Sequence, residues 1–230
     1  MSALPVIRRR RAPRGSGAQL RDEILDAATE LLLESGDVKA TSIRSVAQRV
    51  GVTPPSLYLH FVDKDALLDA VCARYFEKLN DQMQQATVGK SSTLEVARAQ
   101  GLAYVRFATK TPELYRIAMM GESRPGGVVD AAVNNAAVVH FRDTVELLMA
   151  EGVFPVGDPA AVALEFWAAA HGVAALLVAK PYVPVGDAED FADRVLRAVC
   201  LGQITLGMTG TEVSPQQVLD WFAARKGGAS

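Results

Sequence analysis

"TSIRSVAQRVGVTPPSLYLHF" occupies residues 41–61, and its spacing decides how the rest of the chain is read. Ile43, Val46, Ala47 and Val50 recur at three and four, so the first half is a helix with one apolar face. Thr41 is the expected N-cap, and Gly51 stops the helix by supplying the left-handed backbone of a tight turn. Three residues on, Pro54 and Pro55 stand where a helix has no N–H to lose, so the pair opens a short helix at 54–59. Thr53 is its expected N-cap, with the hydroxyl directed at the N–H of Ser56. Ala47 is small where the second helix crosses the first, and Val46, Val50, Val52 and Leu57 fill the space between them. This is the pattern of a helix-turn-helix. By spacing alone it also fits an ordinary helical hairpin.

Outward from that stretch the periodicity stays helical. Ile24, Ala27, Ala28, Leu31 and Leu32 mark a helix that ends at Gly36, with Ser16 and Gln19 as a candidate capping box. A long helix starts near Asp63 and runs to about Thr87. Further helices are expected at 92–110, 112–120, 126–151, 159–179, 187–207 and 215–225, separated by Gly and Pro. Strand alternation is nearly absent. The chain reads as all-α: a basic arm at 1–15 containing "RRRRAPRG" (8–15), a three-helix domain at 16–62, and a helical bundle at 63–230.

Charge is unevenly spread. Net charge is −2 over 230 residues. Residues 1–62 carry Arg8, Arg9, Arg10, Arg11, Arg14, Arg21, Lys39, Arg44 and Arg49 against six carboxylates, so the basic end sits on an acidic remainder and fits an anionic partner. Cys72 and Cys200 fit no metal-ligand spacing and read as reduced core thiols of a cytoplasmic protein. The segment 159–179 is apolar enough to raise a membrane span, but Glu165 and His171 interrupt it and alanine supplies much of it, so it reads as a buried helix. No membrane partner and no cofactor is expected. The three histidines have no nucleophile or carboxylate at a catalytic spacing and no glycine-rich phosphate loop appears, so an enzyme is not expected.

These segments resemble the TetR family of transcriptional regulators. "GVTPPSLYLHFVDKDALLDAV" (51–71) is similar to that family's recognition helix and connecting helix, "TSIRSVAQRVG" to the helix before it, and "ILDAATELLLESG" (24–36) to its first helix. "EFWAAAHGVAAL" (165–176) is similar to the Trp–His–Gly pattern of one class of TetR-type C-terminal domains. The resemblance implies a homodimeric regulator, a repressor in most cases, that leaves a palindromic operator in double-stranded DNA when a small-molecule effector binds. The alternative reading is a helical protein-interaction or small-molecule-binding module without specific DNA binding.

For DNA the resemblance singles out Arg44 as a guanine reader, suited by its bidentate fork. Thr53, Pro54, Pro55 and Ser56 would lead the short helix into the major groove. Tyr58, His60 and Lys64 are phosphate donors by chemistry; partial burial of Tyr58 and a turn-capping role for His60 stay open. Phe61 is core on either reading. In the bundle, Met83, Tyr104, Phe107, Tyr115, Met119, Met120, Phe141, Phe166, Trp167 and His171 are candidates to line a cavity for a largely apolar effector, with His140 a further polar candidate; each also fits plain core. The segment 159–180 is apolar nearly all round and must be covered on several sides. By resemblance it and 187–207 pair with their copies in a second subunit as a four-helix interface, with Ala168, Gly172, Ala175, Val195 and Val199 as candidates.

Overall fold

The computed structural model describes residues 17–39, 41–120 and 136–227. The expected arm at 1–15, Ser16 of the proposed capping box and the 126–135 part of one expected helix lie outside the described residues. Among them are ten helices and no strand: α1 Gly17–Ser35, α2 Ile43–Val50, α3 Pro54–Tyr58, α4 Lys64–Thr87, α5 Thr93–Lys110, α6 Pro112–Met120, α7 Ala136–Ala150, α8 Pro159–Ala179, α9 Ala188–Thr209 and α10 Pro215–Gly227. The all-α expectation holds.

The described helices fall into two compact units. The first comprises α1, α2, α3, α4 as far as Glu77, and α6; the second comprises α4 from Lys78, α5 and α7 to α10. The division thus runs through α4 rather than at 62/63, and α6 joins the first unit. The reason is packing: α6 lies against α1, and its Leu114 and Ile117 close over the core formed by Ile24, Ala28, Leu32, Val46, Leu57 and Leu67. An ion pair of 2.8 Å between Arg74 and Asp26 ties α4 to α1.

In the second unit α8 is the central helix, packed against α5, α7 and α9. That explains its apolar residues on three sides. Asp158 caps it by accepting from the N–H of Ala160 at 2.9 Å, with Pro159 at the first helical position. Asp187 caps α9 in the same way through the N–H groups of Glu189 and Asp190, each at 2.9 Å. Gly101 lets α9 approach α5 closely, since a Cβ there would lie 2.9 Å from Leu196 Cδ1. Arg98 to Asp193 and Arg106 to Glu189 lace the rims of the same pair. Pro159–Ala179 is long and apolar enough to cross a membrane by length and composition, and its inner face is core of this bundle.

Cys72 is buried and its thiol is pushed up to about 12 by that burial and by the nearby Asp69 carboxylate. Cys200 is half-buried and shifted upward for the first of those reasons. Both are free thiols and, with raised pKa values, poor nucleophiles.

Candidate functional site

The turn at 41–61 is built from reciprocal caps. Ser42, not Thr41, is the N-cap of α2: its backbone is extended, its hydroxyl accepts from the N–H of Ser45 at 3.1 Å, and the Ser45 hydroxyl accepts from the N–H of Ser42 at 2.9 Å. Thr41 is buried, and its hydroxyl finds no partner among the described residues. Gly51 has φ of +78°, and its N–H donates to Ala47 and Gln48 while that of Val52 donates to Ala47. This closure turns the chain directly into α3.

Thr53 is the N-cap of α3 by backbone, but its hydroxyl caps nothing. The N–H of Ser56 donates to the Thr53 carbonyl at 2.9 Å, and the two hydroxyls face each other at 3.1 Å. The expected hydroxyl-to-N–H cap is therefore corrected: a backbone turn satisfies that N–H first. Leu57 and Phe61 anchor the short helix in the core, with the Arg21 guanidinium 5.1 Å from the Phe61 ring centroid.

On this frame the predicted contacts face outward. Arg44 is exposed in the first turn of α2 and makes no ion pair with the described residues. The helix dipole disfavours a cation there, so the position gains from a facing anion or base edge. Pro55 is exposed, Pro54, Ser56 and His60 are half-buried, and Tyr58 is 55% exposed. Leu59 and Val62, which the sequence reading passed over, are 85% and 78% exposed beside Tyr58. Lys64 behaves differently. Its ammonium donates to the Val38 carbonyl at 2.6 Å, fixing the start of α4 to the turn after α1. Two of its three N–H donors remain for a further acceptor. Arg49, four residues after Ser45, is held by Glu34 at 2.6 Å and Glu30 at 3.2 Å. Its hydrogen bond to Glu34 raises the Arg49 pKa and lowers that of Glu34.

In the second unit the structure brings three of the predicted effector residues together. Trp167 and His171 stack one turn apart on α8, centroids 5.0 Å apart and planes 22° from parallel. Tyr104 on α5 reaches His171 Nδ1 at 3.3 Å. Burial lowers the His171 pKa, so the ring is neutral at pH 7. Phe141 packs on Phe166 at 5.6 Å, and Phe166 stacks at 5.9 Å on Phe154, which sits in the Gly152 to Pro159 break and was not anticipated. Met83 is buried and Phe107 half-buried in this unit. His140 Nδ1 lies on the outer side of α7, 2.8 Å from Asn80 Oδ1. Tyr115, fully buried, and Met119 stand on α6 in the first unit; the side chain of Met120 lies outside the described residues. A shallow cleft of about 500 Å³, which the sequence reading did not foresee, is lined by Lys90, Ser91, Thr93, Thr144, Leu147 and Glu151.

The outer stripes of α8 and α9 are apolar. Ala168 and Gly172 are exposed and Ala175, Val195 and Val199 half-buried, with Leu164, Leu176, Leu201 and Met208 exposed around them. A Cβ on Gly172 would meet nothing within 4 Å.

Comparison with known proteins agrees with this architecture. Residues 24–71 match the model of bacterial regulatory proteins of the tetR family, and residues 97–199 match a tetracyclin repressor-like C-terminal domain. The HTH-type transcriptional regulator YobS of Bacillus subtilis is 34% identical over 100 residues, 42% of this chain and 50% of that protein. The class D tetracycline repressor protein of Escherichia coli is 39% identical over 61 residues, 26% of this chain and 28% of that protein. The chain thus spans half or less of the length of these relatives. A solved structure from Rhodococcus sp. RHA1, described as a protein with unknown function, is 28% identical with a TM-score of 0.70, covering 80% of this chain and 95% of that one.

Proposed function

Because the chain belongs to the TetR family of bacterial regulatory proteins, we propose that it is a cytoplasmic, homodimeric transcriptional regulator that represses from a near-palindromic operator and is released by a small, largely apolar effector. The observation that carries this reading is the capped α2–Gly51–α3 frame, which presents Arg44, Ser56, Tyr58 and His60 outward from a fixed core. Arg44 reads a base edge, Pro54 and Pro55 make apolar contacts, the Ser56 hydroxyl bonds a base or a phosphate, and Tyr58, His60 and Lys64 hold phosphates.

Dimerisation follows from the apolar stripes of α8 and α9, which a second copy covers as a four-helix interface around Ala168 and Gly172. Two half-sites then fall on successive turns of one face of the duplex. Effector bound beside Trp167 and His171 favours a geometry in which the two recognition helices no longer match successive grooves. A ligand acts only through its differential affinity for the two states, and a hundredfold difference corresponds to about 2.7 kcal/mol.

The test is selection of bound sequences from random duplex DNA, followed by titration of the selected site at rising salt. The proposal expects an inverted repeat and an affinity that falls steeply as counterion release weakens. A protein that enriches no sequence and binds no duplex even at low salt is instead an interaction or ligand-binding module.

A further inference from the structure

Gln100 is a polar residue in an apolar place. It lies on α5 one turn before Tyr104, is 2% exposed, and its Oε1 accepts no hydrogen bond from the described residues. Positions 100, 104 and 107 share a helix face, so Gln100 lies one turn from Tyr104, whose hydroxyl meets His171 Nδ1 at 3.3 Å. An orphaned amide oxygen inside a bundle is destabilising, so a donor supplied from outside the chain would stabilise it.

We propose that Gln100 is the polar anchor of the effector site and selects a neutral molecule that donates a hydrogen bond, such as an alcohol or phenol, over an anion. The inference rests on the effector reading given above. Tyr104 and His171 are already bonded to each other, whereas Gln100 Oε1 is a buried acceptor without a donor among the described residues, and an acceptor demands a donor. The same group disfavours a carboxylate, which would bring one more lone pair against it.

The charges nearby point the same way. The arginines of α5, Arg98 and Arg106, are engaged on the outer side by Asp193 and Glu189. The charged residue within α8 is Glu165, whose carboxylate accepts from Gln203 Nε2 at 2.6 Å. On α7, Arg142 pairs with Asp143 on the surface. None of these offers a buried cation to an anionic ligand, and a buried carboxylate without one is strongly disfavoured. The neutral His171 ring adds no charge.

The experiment uses the full-length protein with Trp221→Phe, which leaves Trp167 as the single tryptophan of the two in the chain. Decan-1-ol and decanoate are titrated against Trp167 fluorescence in this protein and in its Gln100→Met and Gln100→Leu derivatives, and each ligand-free protein is melted. The proposal expects decan-1-ol to bind at least tenfold more tightly than decanoate, and both Gln100 variants to lose that preference. It also expects the ligand-free variants to melt about 2–4 °C higher than the parent, the shift that relief of one orphaned polar group produces in a chain of this size. A fall in melting temperature in both variants overturns it, because Gln100 is then a structural hydrogen-bond partner. A preference for decanoate, or a preference unchanged by Gln100→Met, overturns the neutral-donor assignment while the effector site at Trp167 stands. If neither probe changes Trp167 fluorescence in the parent, the effector reading at this site falls and this inference falls with it.

Discussion

The two units place their polar side chains in opposite ways. In the first, the caps of α2 and α3 are local and Arg44, Ser56, Tyr58 and His60 stand at the rim of a filled core. In the second, Gln100, Tyr104 and His171 lie in or at the edge of the core, while the outer stripes of α8 and α9 are apolar. The contrast teaches how each can be probed. Substitutions at the first surface change contacts without changing the fold, whereas substitutions inside the second mix stability with binding.

The sharpest way to break the comparison is at the apolar outer stripe. Gly172→Arg adds a side chain at an exposed position where its Cβ meets nothing within 4 Å in the single chain, and arginine is a better helix former than glycine. The monomer should fold as before, yet an unpaired charge in a dry dimer interface costs on the order of 3 kcal/mol or more. Sedimentation should then report monomer, with operator affinity falling sharply. An unchanged dimer would show that α8 does not face a second copy.

Smaller effects are expected within the first unit. Gly51→Ala forces a side chain into φ of +78°, at a cost of about 1–2 kcal/mol. Ser42→Ala removes a reciprocal cap and should cost about 1 kcal/mol in chemical denaturation. Thr53→Ala loses only the contact with the Ser56 hydroxyl and should cost less than Ser42→Ala. If the two substitutions cost the same, the assignment of α3's start to a backbone turn is wrong. Lys64→Met should lower stability as well as DNA affinity, because its ammonium also binds the Val38 carbonyl.

The smallest effect is a pH dependence in the second unit. Burial holds the His171 pKa below its unfolded value. The unfolded chain therefore takes up the proton first as pH falls, and stability is complete above the ordinary histidine pKa and lost progressively below it. Melting temperature should decline between about pH 7 and the lowered folded pKa, and His171→Gln should flatten that part of the profile. An identical profile in the variant would assign the decline to other groups.

Much of the first surface was legible because it is local. Gly51, Leu57 and Phe61 lie within ten residues of one another, so period and turn chemistry determine their roles. Thr41 and Ser42 are adjacent hydroxyls before the same helix, and periodicity does not distinguish them. Burial of Thr41 makes the choice. The Lys64 to Val38 bond joins residues 26 apart, a contact no spacing rule reaches. In the second unit periodicity identifies which face of α5 is apolar but not what it meets. Tyr115 reads as a cavity candidate by composition, yet its helix packs on α1. Phe154 was hidden by its place between Gly152 and Pro159, which marks a loop, although a lone phenylalanine there signals an anchored one. Gln100 carried its own signal: an amide in the apolar stripe that includes Ala97 and Tyr104.

The central claim is that Arg44, exposed in the first turn of α2, reads sequence rather than charge. The direct measurement is a binding profile of Arg44→Ala against every single-base variant of the selected operator, at fixed salt, beside the parent protein. The account predicts a loss of about 1–3 kcal/mol on the best site and relaxed preference at one base pair per half-site, with the melting temperature unchanged. A uniform loss across all sequences, with every base preference intact, would contradict it and make Arg44 a phosphate contact.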